Sequence, residues 1–175
     1  MNKTPLLMLL AVLVGMLALF FWPEFEPKSA THLEGVTLSE YRFMDVDGQP
    51  VNYKPERGKV IVLNLWATWC PPCREEMPSL QRLSDKLDKQ LFQVVGIAMD
   101  HDDHLVKEFL HDRQVKFLNM LDATDNVISG QLKVEALPST LIIDRQGAVV
   151  EVISGGREWD SPELYERIRK IALAQ

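Results

Sequence analysis

Apolar positions recur along this chain in two rhythms that divide it into strands and helices. Lys59–Trp66 (KVIVLNLW) is an almost unbroken apolar run rich in β-branched residues, the pattern of a strand covered on both faces. Phe92–Met99 reads the same way. Between them Met77, Leu80, Leu83 and Leu87 fall at helical spacing, which predicts a helix over 71–87. A further helix is predicted from about Asp102 to Asp112, with Leu105, Val106, Phe109 and Leu110 on one side. Phe117–Leu121 is a short apolar piece and Asp125–Leu132 a short helix; Ser139–Asp144 and Ala148–Ser154 form a hairpin around Arg145-Gln146-Gly147. The last helix spans about Ser161–Ala174, with Ser161 as N-cap and Pro162 at the first helical position. Upstream, Val36–Val46 and Gln49–Tyr53 flank Asp47-Gly48, the signature of a hairpin at a sheet edge. Strands interleaved with helices predict an α/β fold: a central mixed β-sheet flanked by helices on both faces.

The first residues follow neither rhythm. Thr4–Pro23 is a run of twenty uncharged, mostly apolar residues, and a helix of that length spans roughly 30 Å, a bilayer core. Lys3 precedes the run and Glu24 and Glu26 follow it, so the positive-inside preference places its start in the cytoplasm and the rest outside. A cleaved signal peptide has a shorter apolar region ending at a small-x-small site; no convincing site follows Phe21, which favours an uncleaved anchor. The expected organisation is an anchor over 1–23, a stalk over 24–34 and one folded domain over 35–175, with two prolines in the stretch Pro23–Glu34.

Charge and cysteine count narrow the chemistry. A formal net charge of −6 with scattered Lys and Arg argues against nucleic-acid binding. The only two cysteines, Cys70 and Cys73, stand at C-x-x-C spacing and make one site where the first buried strand gives way to a helix. With Cys70 as N-cap, Pro71 and Pro72 occupy positions where a missing amide hydrogen costs little. Pro72 has no amide, so the Cys73 N–H is the natural donor to the Cys70 sulfur. That donor and the positive helix end favour the thiolate, the form that attacks disulfides. Cys70 is thus expected to be the exposed nucleophile and Cys73 the resolving thiol.

Other readings of the pair are weaker. As a structural disulfide, so short a loop restrains the unfolded chain by only about 2 kcal/mol. Zinc needs two more ligands, and the clustered His101, His104 and His111 lie among Asp102, Asp103 and Asp112, a solvated helix face. Covalent haem attachment needs histidine after the second cysteine, where this chain has Arg74. No metal site and no cofactor beyond the Cys70–Cys73 pair are expected.

The run LNLWATWCPPCREEMPSL, with Ala136–Asp144 (ALPSTLIID) downstream, resembles the thioredoxin superfamily and, within it, the membrane-anchored TlpA/ResA-like thiol-disulfide reductases. The resemblance covers roughly Val36–Ala174 and implies a thioredoxin-like fold with an N-terminal β-hairpin and a central strand–helix insertion. It implies a cis bond before Pro138, with Leu137 offering its backbone to an extended substrate. Trp69, Pro71 and Pro72 would shape the substrate groove, and Pro78 matches a proline inside the active-site helix. Plain thioredoxins carry a buried aspartate where this chain has Asn64, which cannot shuttle a proton. The resemblance gives that role to Glu76, three residues after Cys73 and on its helix face, with a raised pKa if desolvated.

The implied activity is thiol:disulfide exchange on cysteines of exported proteins, outside the cytoplasmic membrane. The resemblance points to a reductant recharged by a membrane thiol-electron transporter, with apocytochrome c haem-binding cysteines as a substrate class. A disulfide-forming oxidant and a metal-handling module of the same fold are the alternatives.

Overall fold

The computed structural model describes residues 30–173; the apolar run 4–23 and the stalk up to residue 29 lie outside the described residues. In chain order the elements are β1 (Tyr41–Asp45), β2 (Pro50–Tyr53), β3 (Val60–Trp66), α1 (Pro71–Lys86), β4 (Phe92–Ala98), α2 (Asp103–Asp112), β5 (Leu118–Leu121), β6 (Ser139–Ile143), β7 (Val149–Ser154) and α3 (Pro162–Leu173). The strands form one sheet in the order β2-β1-β5-β4-β3-β6-β7. β3 pairs in parallel with β4 and antiparallel with β6, so the strand that ends at the cysteines is central. This is the mixed, thioredoxin-like sheet that the hydrophobic pattern and the resemblance predict.

All seven residues of β3 are buried because the sheet is covered on both faces. Alternate side chains enter two cores. Val60, Val62 and Trp66 join Met77, Leu80 and Leu83 of α1, Val106 and Leu110 of α2, and Ile168 and Ala172 of α3. Ile61, Leu63 and Leu65 join Val95, Ile97, Val127, Ile128 and Leu141 beneath the sheet. Each fully buried aliphatic side chain contributes roughly 1.5–3 kcal/mol of burial. Asn64 occupies the one β3 position that places a polar group on the α1 face.

Four expectations need correction. Residues 30–34 are not stalk: Ala30–Leu33 is a 3-10 turn whose Ala30 and Leu33 are buried, because they fill the lower core beside Leu38. Val36–Glu40 is not strand; it touches the sheet through a single bridge, Thr37 to Ala148, and its polar residues face solvent. Leu105 does not belong to the buried face of α2, being largely exposed while Val106 and Leu110 carry the contact. The helix predicted at 125–132 is a six-residue π-type turn, Asn126–Gln131, held by Asp122 accepting from the Val127 and Ile128 amides.

Candidate active site

The turn that leaves β3 is fixed from outside itself. Asp100, buried just past β4, accepts the Thr68 amide at 3.0 Å and the Thr68 hydroxyl. The Cys70 N–H closes the turn onto the Ala67 carbonyl at 3.2 Å. Cys70 then stands at the N-cap of α1 with Pro71 and Pro72 at its first two positions. The two sulfurs are bonded at 2.07 Å.

Two details of the cysteines differ from expectation. Cys70 makes no side-chain capping bond, because in the oxidised pair its sulfur is directed into the covalent bond with Cys73. Nor is Cys70 openly exposed: it is 5% accessible, while Cys73 is fully enclosed. The order of access survives, with Cys70 the outer sulfur. Trp69, 65% exposed, leans over the rim with its indole N–H 3.3 Å from the Met99 carbonyl.

The Leu137–Pro138 bond is cis. Ser139 pairs with Leu65, so Pro138 stands level with the end of β3 from which the cysteine turn departs. Pro138 is buried and its carbonyl accepts the Gly155 amide at 2.9 Å, whereas Leu137 is half-buried and precedes the β6 ladder. The structure therefore gathers Trp69, Cys70, Pro71, Pro72, Cys73 and Glu76 on one helix start, with Leu137 and Pro138 at the neighbouring strand end.

Glu76 is not a surface charge. It is 3% exposed, and three donors reach its carboxylate. The Asn64 amide donates to Oε1 at 2.8 Å; the Arg157 backbone N–H at 3.0 Å and the Trp159 indole N–H at 2.9 Å both donate to Oε2. Burial nevertheless raises its pKa above the ordinary 4.5, the donors and the Arg157 charge offsetting only part of that. Glu76 also helps line a cleft of about 290 Å³ with Pro72, Glu75, Gly156, Arg157 and Glu158.

Several contributors escaped sequence reasoning. Trp159, fully buried, comes from a polar loop between β7 and α3. The Ser79 hydroxyl donates to the Glu76 carbonyl at 2.8 Å and accepts the Trp159 amide at 3.0 Å, fastening that loop to α1. Arg82 and Lys86 of α1 hold the same loop through Asp160, each at 3.0 Å. Thr140, opposite Asn64 in the sheet, accepts the second Asn64 amide hydrogen at 2.9 Å. The available signal was polarity in the wrong place: Asn64 inside a buried strand and a lone Trp inside a charged loop.

His101 meets the Ala123 carbonyl at 2.8 Å, and it, His104 and His111 are all exposed. Among the described residues no group of three or more His, Cys, Asp and Glu could hold a metal ion.

Comparison with known proteins gives the same picture. The Redoxin family model matches residues 20–168. A thiol-disulfide oxidoreductase ResA of Bacillus thuringiensis (strain Al Hakam) is 34% identical over 121 residues, 69% of either chain. Another, from Bacillus thuringiensis subsp. konkukian (strain 97-27), is 29% identical over 174 residues, 98% of this chain and 99% of that one. Among solved structures, a thioredoxin-family thiol:disulfide interchange protein of Chlorobium tepidum TLS is 30% identical, with a TM-score of 0.66 over 80% of this chain and 97% of its own. A secreted Mycobacterium tuberculosis disulfide oxidoreductase homologous to E. coli DsbE is 26% identical, with a TM-score of 0.63 over 74% of this chain and 95% of its own.

Proposed function

The chain belongs to the Redoxin family and is a thiol:disulfide oxidoreductase of the TlpA/ResA-like kind, and from that premise we propose that it works as a reductant of disulfides in exported proteins. The observation that carries the direction is Glu76. A buried acid on the helix face of Cys73 disfavours negative charge on the neighbouring sulfurs and so works against the thiolate that the helix start favours. A strong oxidant draws its potential from a stabilised reduced thiolate; a pair denied that stabilisation is more reducing.

In the forward reaction the Cys70 thiolate attacks one sulfur of the substrate disulfide. That bond breaks, and the departing substrate thiolate takes a proton from solvent. Cys73 passes its proton to Glu76, attacks the Cys70 sulfur, and expels the second substrate thiolate. The substrate gains two electrons and the pair ends as the disulfide described above. Trp69, Pro71, Pro72, Leu137 and Pro138 form the surface against which the substrate segment lies. The cysteine pair serves as the redox group without a further cofactor.

The oxidised pair is recharged by a membrane protein that carries thiol electrons outward, and haem-binding cysteines of apocytochromes c belong to the substrate class. The run 4–23 tethers the domain to the outer side of the cytoplasmic membrane. Among the described residues no helix is long and apolar enough to cross a membrane, so the tether rests on the sequence of 4–23 alone.

Equilibration against dithiothreitol tests the direction. A potential near or below about −270 mV is expected; one near −120 mV makes the protein a disulfide-forming oxidant instead. Cys70→Ser is expected to abolish turnover, and Cys73→Ser to accumulate a mixed disulfide through Cys70. Undiminished turnover by Cys73→Ser would overturn the two-cysteine mechanism.

A further inference from the structure

We infer that Asn64 is a positioning residue whose side-chain amide turns over with the protonation state of Glu76, keeping the buried pair hydrogen-bonded with and without the proton. The inference rests on the reading of Glu76 as proton acceptor for Cys73.

Asn64 is fully enclosed, and its two ends are treated unequally. Both amide hydrogens are used, one on Glu76 Oε1 at 2.8 Å and one on Thr140 Oγ1 at 2.9 Å. Its Oδ1 is buried without a hydrogen-bond partner among the described residues. A buried acceptor left idle costs free energy and calls for a reason. Here the reason is the neighbour's charge: only the Nδ2 end of the amide can face a carboxylate.

The proton that Cys73 gives up has one suitable place to go. Oε2 already accepts two N–H groups, from Arg157 and Trp159, while among the described residues Oε1 accepts the Asn64 amide alone. Once Oε1 carries hydrogen, Nδ2 confronts it as donor against donor. A half-turn about the Cβ–Cγ bond of Asn64, a soft torsion, exchanges Nδ2 and Oδ1. Oδ1 then accepts from the Glu76 carboxyl and, on its other lone pair, from the Thr140 hydroxyl, whose hydrogen is free to rotate. Two hydrogen bonds exist before the turn and two after it, with no backbone motion. The charged groups around the same carboxyl are Glu75 on its own helix and Arg157 and Glu158 across the cleft; β3 and β6 contribute the uncharged Asn64 and Thr140.

The test is a pH titration of the full chain in detergent micelles, with selective ¹⁵N labelling of asparagine. If the amide turns, both Asn64 Nδ2 hydrogens lose their acceptors as Glu76 gains its proton, and both resonances move upfield together. A stationary amide moves the Glu76-facing hydrogen only, and that outcome overturns the inference while leaving Glu76 its role. A second arm follows thiol alkylation against pH in the reduced protein. Glu76→Gln is expected to remove the Glu76 inflection and slow the proton-dependent step, on the order of a hundredfold. The double variant Asn64→Asp with Glu76→Gln reverses amide and carboxylate. The amide then on α1 can still accept from Arg157 and Trp159 through its oxygen while donating to the carboxylate then on β3, so this variant is expected to restore an inflection. Failure of the double variant to do so, with the fold intact, counts against the pairing. An alkylation profile unaltered by Glu76→Gln alone sinks the underlying reading of Glu76 instead.

Discussion

Three donors reach the Glu76 carboxylate, yet its pKa is raised, so at this residue burial outweighs hydrogen bonding. The Trp159 indole is the foremost of the influences holding the pKa down, and its ring is fully enclosed. Trp159→Phe keeps most of the packing and removes only the N–H. The Glu76 pKa is expected to rise further, so the pH inflection of thiol alkylation moves upward. Oε2 keeps the Arg157 amide, and losing the second buried hydrogen bond to this carboxyl should cost about 1–3 kcal/mol in stability, read from a denaturant melt. An unmoved inflection alongside that loss would make Trp159 a packing residue only. Neither the indole nor its target was legible as a pair. Glu76 was reached through its place after Cys73 and the family resemblance, whereas a partner 83 positions away along the chain leaves no mark in local pattern.

At the scale of elements, a polar row crosses the sheet under α1. Asn119, Gly96, Asn64 and Thr140 are consecutive register partners on β5, β4, β3 and β6. Gly96 belongs there because Asn119 fills the space above it: a Cβ on Gly96 would lie 2.0 Å from Asn119 Oδ1, which accepts the Trp66 indole N–H at 3.0 Å. Gly96→Ala is expected to push Asn119 aside and strand the Trp66 donor, costing about 1–3 kcal/mol; a melting curve matching the parent would refute the row's tight fit. The strands themselves were legible, because burial on both faces leaves a continuous apolar run. Asn64 stood out as the polar residue in such a run, but only the register shows that it shares a row with Asn119, Gly96 and Thr140. The loop from Gly155 to Asp160 was opaque for a related reason. Its Arg157 amide, Trp159 and Asp160 are held by α1 residues far back in the chain, so nothing nearby in sequence announces that the loop is ordered.

For the molecule as a whole, that loop couples global stability to pH from both sides. Asp160 has its pKa lowered from 3.8, first through its hydrogen bond with Arg82, so its contribution is present above 3.8 and is lost as pH falls through the lower folded value. The pair lies at the surface, with Arg82 half exposed, and is screened by salt, so this side of the window should be shallow. Glu76 has the opposite sign. Its folded pKa lies above 4.5, so the folded state holds the proton more tightly; the resulting stability is full below 4.5 and declines as pH rises through the folded value. Glu76→Gln keeps the shape and removes the ionisation. In denaturant titrations at pH values from about 4 to 8, the midpoint of Glu76→Gln relative to the parent is expected to improve steadily with pH above 4.5 and then level off. A constant difference across that range would mean that Glu76 ionises as freely in the folded protein as in the unfolded chain. The proton-holding role would then lose its thermodynamic basis, since a carboxyl that ionises unperturbed is already a carboxylate at neutral pH and is too weak a base to take a proton from a thiol readily.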